Sequence, residues 1–379
     1  MMIKIAAAGL LAFSLAVVAQ AADPVPRTSV DSETTTGSGS WSQLGAFGAS
    51  GSINAFTVFG GDLIMGGEFT SIGSASHFYV ARFDGTTWSS LGSGTSTYVH
   101  ALTVYAGELV AAGSFTMAGG QTVNRIARWN GSAWSPLGSG TNGTVLALAV
   151  YQGELYAAGA FTTAGGADAS RIAKWDGSQW TPVGGGTDGT VRALTVYRGE
   201  LVAGGAFFTA GSTSVSRIAK WNGSSWSALG WGTDDAVFAL TVYGDALIVG
   251  GDFRSADGAD TDRVARWDGS AWSTLGSGVD NVVRALGVYN GELIVGGRFN
   301  TAGGVTAPRI AKWNGAAWSG LGSGISNGGP NNGIVQAVGA FGTDLAVGGT
   351  FSNAGGTPVL HIARWRDLGN DPIFSTGFD

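Results

Sequence analysis

The chain has 379 residues, a formal net charge of −6, 66 glycines, 14 tryptophans and no cysteine. The absence of cysteine excludes disulfides and a lipid-modified cysteine anchor. The acidic balance with few basic clusters argues against nucleic acid and anionic membrane surfaces as partners. The composition therefore predicts a glycine-rich protein held together by packing alone.

The first 21 residues have the pattern of a secretory signal peptide. Lys4 supplies a positive charge, and residues 5–18 form an uncharged run that is shorter than the roughly 20 residues of a membrane span. Ala19-Gln20-Ala21 fits a small-x-small cleavage site. An uncleaved anchor is the alternative. We therefore expect secretion, into the periplasm or the medium, and a flexible lead-in over residues 22–38, which hold two prolines.

Residues 39–369 carry an internal repeat of about 46 residues. The pattern W-S/T-x-L/V-G recurs seven times, at intervals of 47 and then 46 residues. A second pattern, A-L-x-V-Y, recurs seven times at 46 residues until a last interval of 52. A fixed period in this range predicts an array, a solenoid or a propeller. The two patterns begin at Trp41, Trp88, Trp134, Trp180, Trp226, Trp272 and Trp318, and at Ala55, Ala101, Ala147, Ala193, Ala239, Ala285 and Ala337.

Each unit is expected to form four short β-strands. Ala106-Gly107 predicts a turn after the first strand, and residues 116–123 a glycine-containing loop after the second. Asn130-Gly131 predicts a two-residue type I′ hairpin before the fourth strand, which would place Ala127 opposite Trp134. In this copy the predicted strands are His100–Tyr105, Glu108–Phe115, Arg125–Trp129 and Ala133–Leu137.

Four antiparallel strands per unit correspond to one propeller blade, so the sequence predicts an all-β, seven-bladed β-propeller. The two patterns are out of phase. The Trp41 strand has no three strands before it, and the last three strands, within Val335–Trp365, have no fourth. Closing the ring so that the Trp41 strand completes the last blade explains both facts, whereas an open solenoid, the alternative, explains neither. Residues 370–379 are left as a C-terminal tail, either an export-type signal or a segment packed on the propeller.

The units resemble divergent kelch repeats, the family that includes the central propeller of galactose oxidase. The second strand of each copy ends in Gly-Gly or Ala-Gly, and an aromatic residue followed in most copies by Asp or Asn, and then a second Trp, comes later. The resemblance implies that the first strand of each blade is innermost, and it leaves function open. The copper site of galactose oxidase needs cysteine and histidine, and His77, His100 and His361 fall at different repeat positions. No cofactor is expected.

The repeated aromatic and charged residues are interpreted as framework. We expect the tryptophans between neighbouring blades, an aromatic ligand cage being the alternative. A base just before each third-strand aromatic, with an acid opening each second strand, predicts one ion pair per blade. Arginines that begin most third strands, such as Arg125, are also assigned to structure. The predicted pairs are Asp62–Arg82, Glu108–Arg128, Glu154–Lys174, Glu200–Lys220, Asp245–Arg266, Glu292–Lys312 and Asp344–Arg364.

One repeat position varies while its neighbours repeat, namely the residue before the alanine of A-L-x-V-Y. With the first strand innermost, these residues should surround one mouth of the channel. They are Asn54, His100, Leu146, Arg192, Phe238, Arg284 and Gln336. Trp231 and Asp234 lie in the loop before Phe238, and an aromatic ring near Arg and Asp is typical of sugar-binding surfaces. The candidate ligand-binding residues are therefore His100, Arg192, Trp231, Asp234, Phe238, Arg284 and Gln336, unless Trp231 packs on a neighbouring loop.

The function expected from these features is non-catalytic binding of a glycan or an extracellular protein by a monomer. One alternative is a polysaccharide hydrolase or lyase that uses Asp234, Asp235 or Asp280 with Arg192 and Arg284. Nearly equal loop lengths, with a single insertion at Ser326–Gly333, argue against an enzyme. Another alternative is a structural surface protein. A weak calcium candidate is formed by Asp252, Asp257, Asp260 and Asp262.

Overall fold

The computed structural model describes residues 39–328 and 332–367. These residues form β-strands joined by turns, and they include no helix. The expected signal peptide, lead-in and C-terminal tail lie outside the described residues, as does the centre of the Ser326–Gly333 insertion.

The strands form seven four-stranded antiparallel sheets, numbered here as blades 1 to 7 from the sheet that begins at Ile53. The first strands are Ile53–Phe59, Val99–Tyr105, Val145–Tyr151, Val191–Tyr197, Val237–Tyr243, Val283–Tyr289 and Ile334–Phe341. The second strands are Asp62–Gly67, Glu108–Gly113, Glu154–Gly159, Glu200–Gly205, Ala246–Gly251, Glu292–Gly297 and Asp344–Thr350. The third strands are Val80–Phe83, Ile126–Trp129, Ile172–Trp175, Ile218–Trp221, Val264–Trp267, Ile310–Trp313 and Ile362–Asp367. The fourth strands of blades 1 to 6 are Trp88–Ser90, Trp134–Pro136, Trp180–Pro182, Trp226–Ala228, Trp272–Thr274 and Trp318–Gly320.

The ring closes as the phase of the repeat predicts. Gly39–Gln43 pairs antiparallel with Ile362–Asp367 and supplies the fourth strand of blade 7, with Trp41 opposite Trp365. First strands of consecutive blades contact one another around the whole ring, including those of blades 7 and 1. The protein is therefore a closed seven-bladed β-propeller with the first strands innermost, and closure leaves no blade without a partner on either side.

The segment after each second strand is a small hairpin, where the sequence suggested a loop. In blade 2, Met117–Ala118 pairs with Gln121–Thr122. The remaining hairpins are Ser71–Ile72 with Ala75–Ser76, Thr163–Ala164 with Ala167–Asp168, Thr209–Ala210 with Thr213–Ser214, Ser255–Ala256 with Ala259–Asp260, Thr301–Ala302 with Val305–Thr306, and Asn353–Ala354 with Thr357–Pro358. The last also pairs with Ile325–Ser326. These strands are too short for a period-2 pattern to reveal them.

The hairpin between third and fourth strands has a four-residue turn, so the predicted type I′ turn is wrong. Trp129 lies opposite Trp134, and Ala127 lies opposite Pro136. The Asn130 side-chain oxygen accepts bonds of 2.9 Å from the backbone N–H groups of both Ser132 and Ala133. This side-chain capping stabilises the longer turn. The two extra residues shift the register by two, which keeps every side chain on its expected face but brings the two tryptophans together.

Tryptophan side chains join neighbouring blades, as expected. In blade 3 the Trp180 Nε1–H donates a 2.8 Å hydrogen bond to the Leu137 carbonyl of blade 2. The Trp175 and Trp180 rings of blade 3 pack with centroids 5.5 Å apart. Burial of the ring and satisfaction of its N–H together fix the spacing of adjacent blades. The equivalent donor–acceptor pairs are Trp41–Leu321, Trp88–Leu44, Trp134–Leu91, Trp226–Val183, Trp272–Leu229 and Trp318–Leu275.

The predicted ion pairs form in six blades. Their distances run from 2.7 Å for Lys312–Glu292 to 3.4 Å for Arg364–Asp344. The other four are Arg82–Asp62, Arg128–Glu108, Lys174–Glu154 and Lys220–Glu200. The prediction is wrong for blade 5. There Leu247 lies opposite Trp267, so that Ala246 occupies the position of the pairing acid. Asp245 lies one residue earlier, in the turn before the second strand.

The residue before each third strand has a left-handed backbone. φ lies between 61° and 71° at all seven equivalent positions, none of which is glycine. Arginines there donate to the loop leading to the next blade, as Arg171 does to the Thr187 carbonyl at 3.0 Å. The equivalent residues are Tyr79, Arg125, Arg217, Arg263, Arg309 and His361. This anchoring supports the structural role assigned to these arginines.

Candidate functional site

The seven residues at the varying repeat position meet around one cavity, as the sequence predicts. This open cavity of about 160 Å³ lies at the end of the channel where the first strands begin. We call this end the variable mouth. It is lined by Asn54, His100, Leu146, Arg192, Phe238, Arg284 and Gln336.

A β-bulge in each first strand directs these side chains to the cavity. In blade 2 the pairing with the second strand shifts between Val99 and Ala101, so that His100 has no partner residue. The same shift occurs at the equivalent place in the other six blades. A bulge leaves its extra residue outside the ladder and re-aims its side chain. The varying residue is therefore not required by the packing of its own sheet.

One side of the variable mouth is cationic. The guanidinium carbon of Arg284 lies 4.1 Å from the centroid of the Phe238 ring, and that of Arg192 lies 5.3 Å from the same centroid. These are cation–π distances. Partial burial, and then the nearby charge of Arg192, lower the pKa of Arg284, while Asp252 opposes this shift. Guanidinium groups keep their proton in proteins, so this side of the mouth carries positive charge.

The other side of the mouth is polar and uncharged. Asn54 Nδ2 lies 3.4 Å from His100 Nδ1, and His100 Nε2 lies 3.2 Å from Ser114 Oγ. Gln336 accepts a hydrogen bond from the Ser52 hydroxyl. Burial lowers the pKa of His100, against a smaller opposing effect of Glu68, so the imidazole is neutral at pH 7. This side therefore presents amide and imidazole groups that can donate or accept.

A second ring of varying residues adjoins the first, and the sequence reasoning missed it. Each member lies at the end of the second strand or directly after it. In blade 5 the Asp252 N–H donates a hydrogen bond to the Ala236 carbonyl, just before the first strand. The signal was available, since this position also varies between a repeated glycine and a repeated phenylalanine. The residues are Glu68, Ser114, Ala160, Ala206, Asp252, Arg298 and Thr350.

Asp234 is not part of the cavity wall. Its Oδ1 accepts the backbone N–H of Arg254 at 2.8 Å and of Ser255 at 3.0 Å. Burial alone would raise the pKa of Asp234, but these N–H groups outweigh it and lower the pKa. Blade 5 thereby ties its small hairpin to the preceding loop, as Asp280 does in blade 6. Both carboxylates are engaged in turn structure.

Trp231 also lies outside the cavity wall, and it does not pack on a neighbouring loop. Its side chain is 82% exposed. Its backbone N–H donates a 2.6 Å hydrogen bond to Asp257 Oδ1, which holds the loop before Phe238. An indole this exposed contributes little to packing and is available on the same face as the variable mouth.

The structure does not bring the four aspartates of the calcium candidate together as one cluster. No group of three or more acidic or histidine side chains in residues 39–328 and 332–367 comes together as a metal site. Asp257 binds the Trp231 N–H, and Asp262 lies 3.4 Å from Arg263. Asp260 lies opposite Ser255 in the small hairpin, and Asp257 lies in the turn of that hairpin.

The opposite mouth of the channel has another character. The first strands end there in exposed valines, including Val104 and Val150. The residues at this end of the channel are similar from blade to blade, whereas those at the variable mouth differ. Throughout the described segments, no helix is long and apolar enough to cross a membrane.

Comparisons with known proteins support the fold. The family model of the Rax2 C-terminal β-propeller domain matches residues 135–288, and that of a β-propeller domain of unknown function, DUF5122, matches residues 107–131 and 290–314. No curated protein matches the chain.

Solved structures with similar folds share little sequence with this chain. The computationally designed Ika8 protein is 16% identical, with a TM-score of 0.51 over 86% of this chain and 99% of its own. The WD40 β-propeller domain of Doa1 is 14% identical, with a TM-score of 0.55 over 86% and 96%. The extracellular domain of the hybrid two-component system BT4673 from B. thetaiotaomicron is 11% identical, with a TM-score of 0.54 over 85% and 38%. The chain is a β-propeller with segments that match two β-propeller family models.

Proposed function

We propose that this protein is a secreted, non-catalytic binding module, kelch-like in its repeats, that takes a glycan or an extracellular protein at the variable mouth. The observation that carries the proposal is the convergence of the seven varying residues on one cavity. Concave sites with a few convergent polar groups are the usual ligand sites of proteins.

The contrast between framework and mouth supports this proposal. The blade contacts use the same residues in almost every copy, as the tryptophan bonds between blades do. The mouth carries two arginines, a histidine, two amides, a leucine and a phenylalanine at one equivalent position. Because the bulge leaves this position outside the sheet pairing, the stability of the blades does not require a particular residue there. Binding of a ligand explains why the residues at this position differ.

The carboxylates named for the enzymatic alternative favour binding over hydrolysis. A general acid needs a raised pKa, and the pKa of Asp234 is lowered by its backbone donors. Asp280 Oδ1 accepts the N–H groups of Asn300 and Thr301 at 2.7 and 3.1 Å. Asp235 Oδ1 accepts the N–H of Ala236 at 2.6 Å. All three serve the turns that carry them.

Secretion rests on the signal-peptide pattern of residues 1–21. The solved structure from BT4673 is named an extracellular domain, so a propeller of this general fold operates outside a cell in at least that protein.

The test compares two tryptophan substitutions on one strand. Leu146 lines the variable mouth, and Val150, four residues later, is exposed at the opposite mouth. The wild type, Leu146→Trp and Val150→Trp are passed over insoluble polysaccharides and over immobilised extracellular proteins, with sugar release followed in the same tubes. We expect a retained ligand that Leu146→Trp loses and Val150→Trp keeps, without sugar release. Equal retention by both variants refutes the mouth as the site, and sugar release refutes the non-catalytic role.

A further inference from the structure

The variable mouth holds two like charges around a single aromatic ring. Arg192, Phe238 and Arg284 come from blades 4, 5 and 6, and both guanidinium groups lie within 5.3 Å of the Phe238 ring centroid. Both arginine side chains are exposed to the cavity. In residues 39–328 and 332–367, neither guanidinium has a carboxylate within ion-pair distance.

The surrounding charges leave this side of the mouth positive. Asp252 and Arg298 lie near Arg284 and shift its pKa in opposite directions, while the carboxylate of Glu68 lies near His100, on the other side of the mouth. The chain as a whole has a net charge of −6. The two arginines that approach the Phe238 ring carry like charges and repel each other, and an anion bound by both would relieve that repulsion. The planar guanidinium forms paired hydrogen bonds with carboxylate and sulfate-like groups.

The opposite wall of the same cavity suits hydroxyl groups. Asn54 and Gln336 offer side-chain amides, and neutral His100 offers an imidazole. A ligand that matches both walls has an anionic group at one edge and hydroxyls at the other, which is the chemistry of an acidic sugar. Resting on the proposed function, we infer that the variable mouth binds an acidic polysaccharide, with the anionic group of one sugar held between Arg192 and Arg284.

The experiment is a calorimetric titration of the purified full-length protein with oligogalacturonides and with the same oligomers after reduction of the carboxyl groups. The reduced oligomers keep the length and every hydroxyl, gain one primary hydroxyl for each reduced carboxyl group, and lose the charge. We expect the acidic oligomer to bind at least tenfold more tightly. Dextran sulfate, an acidic peptide and single-stranded DNA serve as further anions, and tighter binding of dextran sulfate would identify the anion as sulfate on the same site.

Variants separate recognition from general attraction. Arg192→Gln and Arg284→Gln should each weaken binding by about tenfold to a hundredfold, because each removes a hydrogen bond to a charged group. Arg284→Lys keeps the charge but loses the planar fork, and should fall between the wild type and Arg284→Gln. Arg198→Gln makes the same charge change in the turn at the opposite face, between the first and second strands of blade 4, and should leave affinity unchanged.

Several outcomes overturn the inference. The inference is wrong if the reduced oligomers or single-stranded DNA bind as tightly as the acidic oligomers. It is also wrong if Arg198→Gln weakens binding as much as Arg192→Gln and Arg284→Gln do, or if no acidic sugar binds. Binding of the acidic peptide in place of sugars would make the ligand a protein. If a neutral ligand is still lost in Leu146→Trp and kept in Val150→Trp, the proposed function stands and only the acidic sugar falls.

Discussion

The indole Nε1–H of Trp41 donates a 2.8 Å hydrogen bond to the backbone carbonyl of Leu321, 280 residues away. The same bond joins blades of adjacent sequence, for example Trp180 to Leu137. The junction between the two ends of the repeat region is therefore built like any other junction of the ring.

Removing this donor while keeping an aromatic ring should destabilise the closure and an internal junction alike. Trp41→Phe and Trp180→Phe each leave a buried carbonyl without its partner, which costs about 1–3 kcal/mol. Urea unfolding measures the free energy of each variant. A neutral Trp41→Phe beside a destabilising Trp180→Phe would show that the Gly39–Gln43 strand does not close the ring in solution.

The missing ion pair of blade 5 can be installed. Ala246 occupies the place that Glu108 holds in blade 2, and Arg266 is the base within reach. Ala246→Glu should raise the free energy of unfolding by about 0.2–1 kcal/mol, which is the range for partly exposed ion pairs like those of the other six blades. Ala246→Gln is the uncharged control. If Gln stabilises as much as Glu, the gain does not come from the charge.

Stability should fall in mildly acidic solution because one buried and two partly buried histidines have lowered pKa values. Burial lowers the pKa of His77 below its ordinary value of 6.5, and the pKa values of His100 and His361 are also lowered mainly by burial. As the pH falls, histidines of the unfolded chain bind protons before those of the folded protein do. The free energy of unfolding is therefore constant above about pH 7.5 and decreases as the pH falls through 6.5 toward the lowered pKa values of the folded protein. The decrease is at most about 1.4 kcal/mol per pH unit for each histidine. Thermal unfolding between pH 7.5 and 5 measures the slope. His77→Gln should make it shallower, and an unchanged slope would contradict this account of His77.

Trp231 should matter for binding and not for stability. An indole that is 82% exposed makes few contacts in the free protein, but it can stack on a ligand that extends beyond the mouth. We expect Trp231→Ala to leave the unfolding free energy within about 0.5 kcal/mol of the wild type and to reduce retention of a polymeric ligand several-fold. Met117→Ala, another exposed apolar side chain on this face, is the control. Full retention by Trp231→Ala would confine the site to the cavity.

The sequence predicted the architecture because each repeated residue has one structural task. The period, the phase of the Trp41 strand and the varying position before Ala101 together predict seven blades, their closure and the residues of the variable mouth. These three features depend only on the spacing of residues along the repeat, and a local change in turn type does not alter that spacing.

The remaining features depend on local geometry that spacing does not determine. The Asn130 side chain stabilises a four-residue turn in preference to the two-residue turn that Asn-Gly favours, and the shift brings Trp134 opposite Trp129. An acid displaced by one residue, as at Asp245, lies in the turn and forms no pair with Arg266, because Ala246 takes the position at the start of the strand. The closeness of Trp231 and Asp234 to Phe238 in sequence predicts that they lie at the mouth, but neither residue lines the cavity.

The central claim is that ligand binds at the variable mouth, and the most direct test is the dissociation constant of the retained ligand for Leu146→Trp and for Val150→Trp. Both variants place an indole on the same first strand of blade 3, at opposite ends of the channel. We predict that Leu146→Trp weakens binding by tenfold or more and that Val150→Trp binds like the wild type. Equal dissociation constants for the two variants, or the reverse order, would contradict the claim.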